Sequence, residues 1–283
     1  MSSNKVIVIT GASSGIGAAL AEQLGAQDYQ LVLAARREPQ LRQVAEPFGE
    51  NALAVVCDVC HRSDVDQLRD AALQRFGQVD VWVNNAGRGI YRPVLELTDS
   101  DVDEMLAVNL KSALYGMQAI VPYFQQRGLG HLINISSFLG RIPFASNRSI
   151  YSASKAALNS LTANLRMDLA RAYPDIHVSL VMPGSVATGF AAGALGAPPG
   201  AVPMPGAQTA SEAAAAIAAL IEHPVAEIYT NSANTPELVQ RYFADPAAFE
   251  ASNRRLITSL KISPPVQSPA SAAAKMRLNA HFT

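Results

Sequence analysis

The sequence predicts an α/β protein built on one doubly wound parallel sheet of about seven strands. Three observations predict it. Apolar, β-rich runs recur along the chain and are hydrophobic throughout instead of alternating, as strands buried on both faces must be. Helix-period stretches lie between them, so the connections are crossovers, and right-handed crossovers place helices on both faces of the sheet. Three glycines, Gly11, Gly15 and Gly17, stand directly between the first β-branched run and the first helical stretch.

The strand-like runs are, in order, VIVIT (6–10), LVLAA (31–35), ALAVVCDV (52–59), VDVWVNNA (79–86), HLINISS (131–137) and HVSLVMPG (177–184). A helix is expected from Tyr151 to about Ala172, with Leu158, Leu161, Leu165 and Leu169 at helical spacing. An alanine-rich helix near 211–222 precedes a last weak strand, EIYT (227–230). Two segments break this rhythm. Residues 184–206 are dense in Gly, Pro and Ala, and a loop of that length inside a compact domain is usually functional or disordered. The tail from Lys261 reads as peripheral, so the expected organisation is one domain over 1–260 and a tail over 261–283.

Composition excludes several roles. The chain has 283 residues, 49% hydrophobic and 16% charged, enough to bury a large core. Twenty-two basic against 23 acidic residues leave a formal charge of −1, so no long-range field draws it to nucleic acid or anionic lipid. The apolar run in MSSNKVIVITG is too short for a signal peptide, and no stretch reaches the roughly 18 apolar residues of a membrane span. A soluble, cytoplasmic protein is expected. Cys57 and Cys60 have a CxxC spacing with only His61 near in sequence, whereas a structural zinc site needs four ligands. No metal is expected, and these residues read as small core thiols at a strand end.

A strand ending in Thr10, a glycine turn and then a helix aims backbone N–H groups and a helix N-terminus at one place, a ready site for a pyrophosphate. Gly11 permits the turn, Gly15 lets phosphates approach and Gly17 allows close packing. Downstream, TGASSGIG (10–17), NNAG (84–87), NISS (134–137), YSASK (151–155) and PGSVAT (183–188) stand in an order and spacing that resemble the short-chain dehydrogenase/reductase family over roughly residues 4–230. The resemblance implies a single Rossmann-like domain with a seven-stranded sheet and a nicotinamide cofactor. The cofactor would lie on Gly11, Ser13, Ser14, Gly15, Ile16 and Gly17, with Asp58 and Val59 at the adenine and Asn85, Ala86 and Gly87 along its middle. Pro183, Gly184, Val186 and Thr188 would meet the nicotinamide end, Thr188 at the carboxamide. Asp58 has a plainer alternative, capping the helix that follows.

Tyr151 and Lys155 are four apart and share a helix face. A free phenol is a poor acid or base at neutral pH, and a nearby ammonium favours the phenolate, which makes Lys155 the expected tuning charge. The resemblance adds that Lys155 holds the nicotinamide ribose. It also implies that Ser137 binds the substrate carbonyl and that Asn109 supports a proton relay behind the lysine. After the second strand come Arg36 and Arg37, and the first carboxylate, Glu38, only follows them. An acid there would bind a ribose 2′-hydroxyl, whereas arginine pairs with a 2′-phosphate. NADP (NADPH) is therefore expected, with Arg36 as the main partner and Arg37 secondary.

The expected function is hydride transfer between NADPH and a small-molecule carbonyl or alcohol. The substrate pocket should draw on Arg88–Pro93, Phe138–Phe144 and the 184–206 loop. Val186, Phe190, Leu195, Val202 and Met204 in an uncharged loop lean towards an apolar ketone or secondary alcohol, while Arg88, Arg92 and Arg141 would instead select an acidic one. The competing class is a cofactor-sensing binding protein without catalysis. Asn109, Ser137, Tyr151 and Lys155 together argue against it, since a sensor needs only the nucleotide half. The resemblance also implies a homodimer or homotetramer, with the helices carrying Tyr151 and Asn109 packed across a two-fold axis; the same leucines could equally face the protomer's own sheet.

Overall fold

The computed structural model describes residues 5–204, 206–231 and 235–259. Its main sheet has seven parallel strands: β1 (Val6–Thr10), β2 (Gln30–Ala35), β3 (Ala52–Val56), β4 (Val81–Asn84), β5 (Gly130–Ile135), β6 (Ile176–Met182) and, after a small two-stranded pair β7 (Val186–Ala187) and β8 (Gln208–Thr209), β9 (Glu227–Tyr229). The spatial order is β3-β2-β1-β4-β5-β6-β9, and every pairing is parallel. The order reverses between β1 and β4, so the connections leaving their C-terminal ends diverge and open a crevice there.

The helices explain why the strands read as continuous apolar runs. In β1, Val6 and Val8 face a core layer with Leu68, Ile120, Phe124 and Leu158, while Ile7 and Ile9 face another with Leu20, Leu24, Leu41 and Ile217. The first layer is covered by α3 (Arg62–Phe76), α5 (Ser112–Arg127) and α6 (Ser149–Ala170). The second lies under α1 (Gly15–Gly25), α2 (Glu38–Ala45) and α7 (Ala210–Glu222). Period-2 geometry sends alternate side chains to opposite faces, and each fully buried aliphatic contributes about 1.5–3 kcal/mol. A further helix, α4 (Asp99–Leu106), runs into α5 through a wide π turn at Ala107–Lys111. α4 begins with a capping box in which Thr98 and Asp101 satisfy each other's backbone N–H groups.

Four strands end earlier than the sequence suggested. Residues 57–59, 85–86, 136–137 and 183–184 continue the expected runs, yet they leave the ladder to form the crevice floor. Their side chains are packed, which gives them strand-like composition, but their backbones turn towards the site. The leucine stripe of α6 divides between its two expected readings. Leu158 and Leu169 are buried in the protomer's own core, whereas Leu161 and Leu165 are partly buried and line a hollow of about 380 Å³ with Leu114, Met117, Val121 and Pro122 of α5.

The 184–206 stretch is tied down at several points. β7 pairs with β8, the Ser185 carbonyl accepts from the Gln208 N–H, and the Leu195 N–H and C=O bond Gly89 and Tyr91. The described residues form two compact units dividing between Val239 and Gln240. The remaining helices are α8 (Thr235–Ala244) and α9 (Pro246–Ser259); in the second unit Tyr242 packs edge-on against Phe243 and Phe249. The expected tail boundary at Lys261 lies outside the described residues. Among the described residues no helix is long and apolar enough to cross a membrane.

Candidate active site

At the crevice, Gly11 and Gly15 take left-handed φ values of +68° and +60°, which only glycine adopts without strain. Gly17 is helical, but a Cβ there would lie 2.6 Å from both the Gly11 carbonyl oxygen and the Asn85 amide nitrogen. Gly17 therefore lets α1 close onto the turn and onto the β4 end, a tighter version of the packing expected of it. One hydroxyl ties the two diverging strands: Thr10 Oγ1 accepts from the N–H groups of Asn85 (3.0 Å) and Ala86 (3.1 Å) and donates to the Val83 carbonyl. The Asn85 amide donates back to the carbonyls of Thr10 and Gly11. At the start of α1, Ser14 makes no side-chain cap and the first turn holds no acid, so its amide donors and positive dipole end face the cleft uncompensated.

Arg37 reaches over this turn, donating to Ser13 Oγ (3.0 Å) and Ser14 Oγ (2.7 Å). Arg36 is exposed, with its guanidinium 3.8 Å from Asp58. Asp58 accepts from the Cys60 N–H and so closes a turn two residues on, while α3 starts later at Arg62; it is not that helix's cap. Ala86, Gly87, Val59, Ile16 and Pro183 to Thr188, except Ser185 and Ala187, line the same cleft of about 520 Å³. Cys57 also lines it, but burial pushes its thiol up to about 12 and that of Cys60 to about 11, leaving both poorly nucleophilic. Among the described residues no group of three or more metal-binding side chains gathers.

Ser137, Tyr151 and Lys155 line the other end of this cleft. Lys155 is buried and donates to the Ile135 carbonyl at 2.8 Å, and its Nζ lies 6.0 Å from the Tyr151 ring centre. Burial without a carboxylate lowers Lys155 to about 8, so it is mostly charged at neutral pH. Burial raises Tyr151, against a hydrogen bond from Ser137 and the charge of Arg148. The influences that oppose burial at the phenol come from Ser137 and Arg148. Asn109 sits behind them in the π turn. Its Oδ1 accepts from the Arg88 N–H and its Nδ2 donates to the Arg88 carbonyl, both at 2.9 Å. Ser136 also lines the cleft, but its hydroxyl is taken up by Asn159 Oδ1 at 2.5 Å and the Lys155 carbonyl at 3.3 Å.

The three arginines that would have selected an acidic substrate are all neutralised by carboxylates. Arg88 pairs with Glu104, Arg92 with Asp101 at 3.1 Å and Arg141 with Glu227. The arginine the sequence reading passed over is Arg148, which no motif marks. Asn84, the first residue of NNAG, serves the sheet interior, accepting from Trp82 Nε1 and donating to Ala113 O and Asn134 Oδ1.

Comparison with known proteins agrees with this architecture. Residues 5–195 match the family model described as short chain dehydrogenase. An uncharacterized oxidoreductase of Staphylococcus epidermidis is 37% identical over 184 residues, 65% of this chain and 79% of the relative. One from Staphylococcus saprophyticus is 39% identical over 189 residues, covering 65% and 80%. The solved structure of a short chain dehydrogenase/reductase from Burkholderia phymatum in complex with NAD superposes with a TM-score of 0.78 at 29% identity, covering 87% of this chain and 95% of that one. An alcohol dehydrogenase from the archaeon Thermococcus sibiricus, complexed with 5-hydroxy-NADP, gives 0.70 at 30% identity, covering 80% and 95%. The chain belongs to the short-chain dehydrogenase/reductase family and is an oxidoreductase acting on CH–OH groups.

Proposed function

We propose that this chain transfers a hydride between NADPH and a ketone or secondary alcohol with an apolar body, Tyr151 moving the proton. The observation that carries this reading is one cleft lined at one end by the left-handed glycine turn and at the other by Ser137, Tyr151 and Lys155, with Asn109 behind them. The donors at the α1 N-terminus and the two left-handed glycines fit a pyrophosphate at closest approach. A bound nicotinamide supplies the hydride. Ser137 holds the substrate oxygen, and Tyr151 gives it a proton in reduction or takes one in oxidation. Lys155, tethered to Ile135, would offer its remaining N–H groups to the ribose, and Asn109, held on the Arg88 backbone, would support a relay that refills the tyrosine.

Arg36 and Arg37, with no carboxylate before Glu38, support NADP over NAD. Arg37 is seated on the serines of the turn, and Arg36 is exposed beside Asp58, where it would be free to pair with a 2′-phosphate. Titration of both reduced cofactors by fluorescence tests this. Arg36→Asp removes a charge-assisted contact of about 1.5–3 kcal/mol, so NADPH should bind about tenfold to a hundredfold more weakly, and Arg37→Asp should follow the trend less steeply. Wild-type protein that binds NADH as tightly as NADPH would sink the assignment.

A homodimer or homotetramer fits the apolar hollow between α5 and α6, where Leu161 and Leu165 stay half-covered. A single-chain mass by light scattering at micromolar protein would refute that assembly. The two free cysteines fit a reducing, cytoplasmic setting.

A further inference from the structure

Arg148 is a cation in an unfavourable place. It stands immediately before α6, at the positive end of a helix of 22 residues whose first turn holds no acid. Burial lowers its pKa, so its charge is partly desolvated. Buried charges are ordinarily paired. Yet among the described residues no carboxylate reaches it, whereas Arg88, Arg92 and Arg141 nearby in the substrate half each have one. Its contacts are a stack on the Tyr91 ring, 3.5 Å from guanidinium carbon to ring centre, and a long 3.4 Å bond from Nη1 to the Ile90 carbonyl. Nε and Nη2 have no acceptor among the described residues, and neither is sealed from solvent.

The surroundings connect this cation to the chemistry. Arg148 precedes Tyr151 by three residues, so the two share one side of the helix start. Gly89 is packed closely between Arg148 and the substrate loop: a Cβ there would lie 2.8 Å from Arg148 Nη1, 2.9 Å from the Phe190 ring and 3.2 Å from Ala194. Phe190 lines the cleft and packs edge-on to Tyr151 with ring centres 5.8 Å apart. Tyr151 and Phe190 thus line the substrate end of the cleft, and Arg148, stacked on Tyr91, stands just beyond that lining with its charge acting on the phenol.

We propose that Arg148 is the subsite for a carboxylate on the substrate, so that the chain takes oxo acids and hydroxy acids in preference to neutral ketones and alcohols. The proposal rests on the hydride-transfer reading above. A single planar guanidinium stacked on one aromatic ring matches a planar monoanion, whereas a phosphate dianion calls for further cations. The anion would also lie against the α6 N-terminus, relieving the repulsion that Arg148 meets there.

The test uses 2-, 4- and 5-oxo acids with four to eight carbons, each beside its methyl ester. NADPH oxidation is followed with the wild type, Arg148→Met and Arg148→Lys, and binding to the NADP⁺ complex is measured by calorimetry. NADPH titration reports that each variant is folded. The expected result is a wild-type preference of tenfold or more in kcat/KM for at least one acid over its ester. That ratio should collapse towards one in Arg148→Met and be partly kept in Arg148→Lys. Acids that bind the wild type but not Arg148→Met, with no turnover of any pair, would uphold the carboxylate subsite and remove the reductase reading. Equal use of acids and esters by the wild type, or no binding of either, overturns the proposal. So does an Arg148→Met variant that loses acid and ester alike with a displaced pH profile, because Arg148 would then act on Tyr151 beside Ser137 and Lys155 instead of on the substrate.

Discussion

The two ends of the cleft are held by different means. The nucleotide end is fixed by backbone: two left-handed glycines, a third glycine with no room for a methyl group, and one threonine hydroxyl bridging β1 and β4. The substrate end has backbone ties as well, β7 with β8 and Leu195 with Gly89 and Tyr91, but adds side-chain pairs: the ion pairs of Arg88, Arg92 and Arg141 and the stack of Arg148 on Tyr91. Backbone constraints accept almost one sequence, whereas side-chain pairs can be exchanged without disturbing the chain path. The first end is thereby committed to one kind of ligand and the second is open to many.

The largest effect should come where the two ends meet. Tyr151→Phe removes the proton and leaves the glycine turn intact, so turnover with any accepted carbonyl should fall by roughly a thousandfold or more while NADPH affinity stays close to wild type. A variant turning over at near-normal rate would break the assignment of Tyr151. Gly17→Ala should come next and should act on stability. Alanine gains up to about 1 kcal/mol in helix propensity. Its Cβ would press on a backbone carbonyl at 2.6 Å, and overpacking of this kind costs about 1–3 kcal/mol. A net loss in denaturant unfolding, with weaker NADPH binding, is expected; unchanged stability would show that the nucleotide end is less rigid than its geometry. The smallest effect is expected at Gly189, which lines the cleft at the substrate end with nothing within 4 Å of an added Cβ. Gly189→Ala should leave stability within about 0.5 kcal/mol or raise it slightly by restricting the unfolded chain. A loss as large as that of Gly17→Ala would erase the contrast.

The same division explains what could be read in advance. The doubly wound parallel sheet, the glycine turn and the residues gathered in the cleft follow from local rules or from a registered set of motifs, because each is a requirement on the backbone or on one spacing. The substrate-end arginines were not legible. Arg141 finds Glu227 across 86 positions, a pairing no local pattern announces, and Arg148 has no motif at all. Strand ends were read too long at Cys57, Asn85, Ser136 and Pro183 because packed side chains look alike whether the backbone stays in the ladder or turns out of it.

The π turn at Ala107–Lys111 sets an angular phase. Each residue of an α-helix advances the side-chain direction by about 100°, and a wide turn inserts one residue without lengthening the rod by a full turn. α4 is clamped upstream by its capping box, and α5 is clamped downstream where the Ala113 carbonyl takes the Asn84 amide. Between these two fixed points Met105 and Asn109, four residues apart, share one side, the Asn109 amide 3.7 Å from Met105 Sδ, while the wide turn lets Asn109 also hold the Arg88 backbone. Removing one residue from this turn would leave an ordinary α-helix between the same two clamps, without the widening from which Asn109 holds the Arg88 backbone.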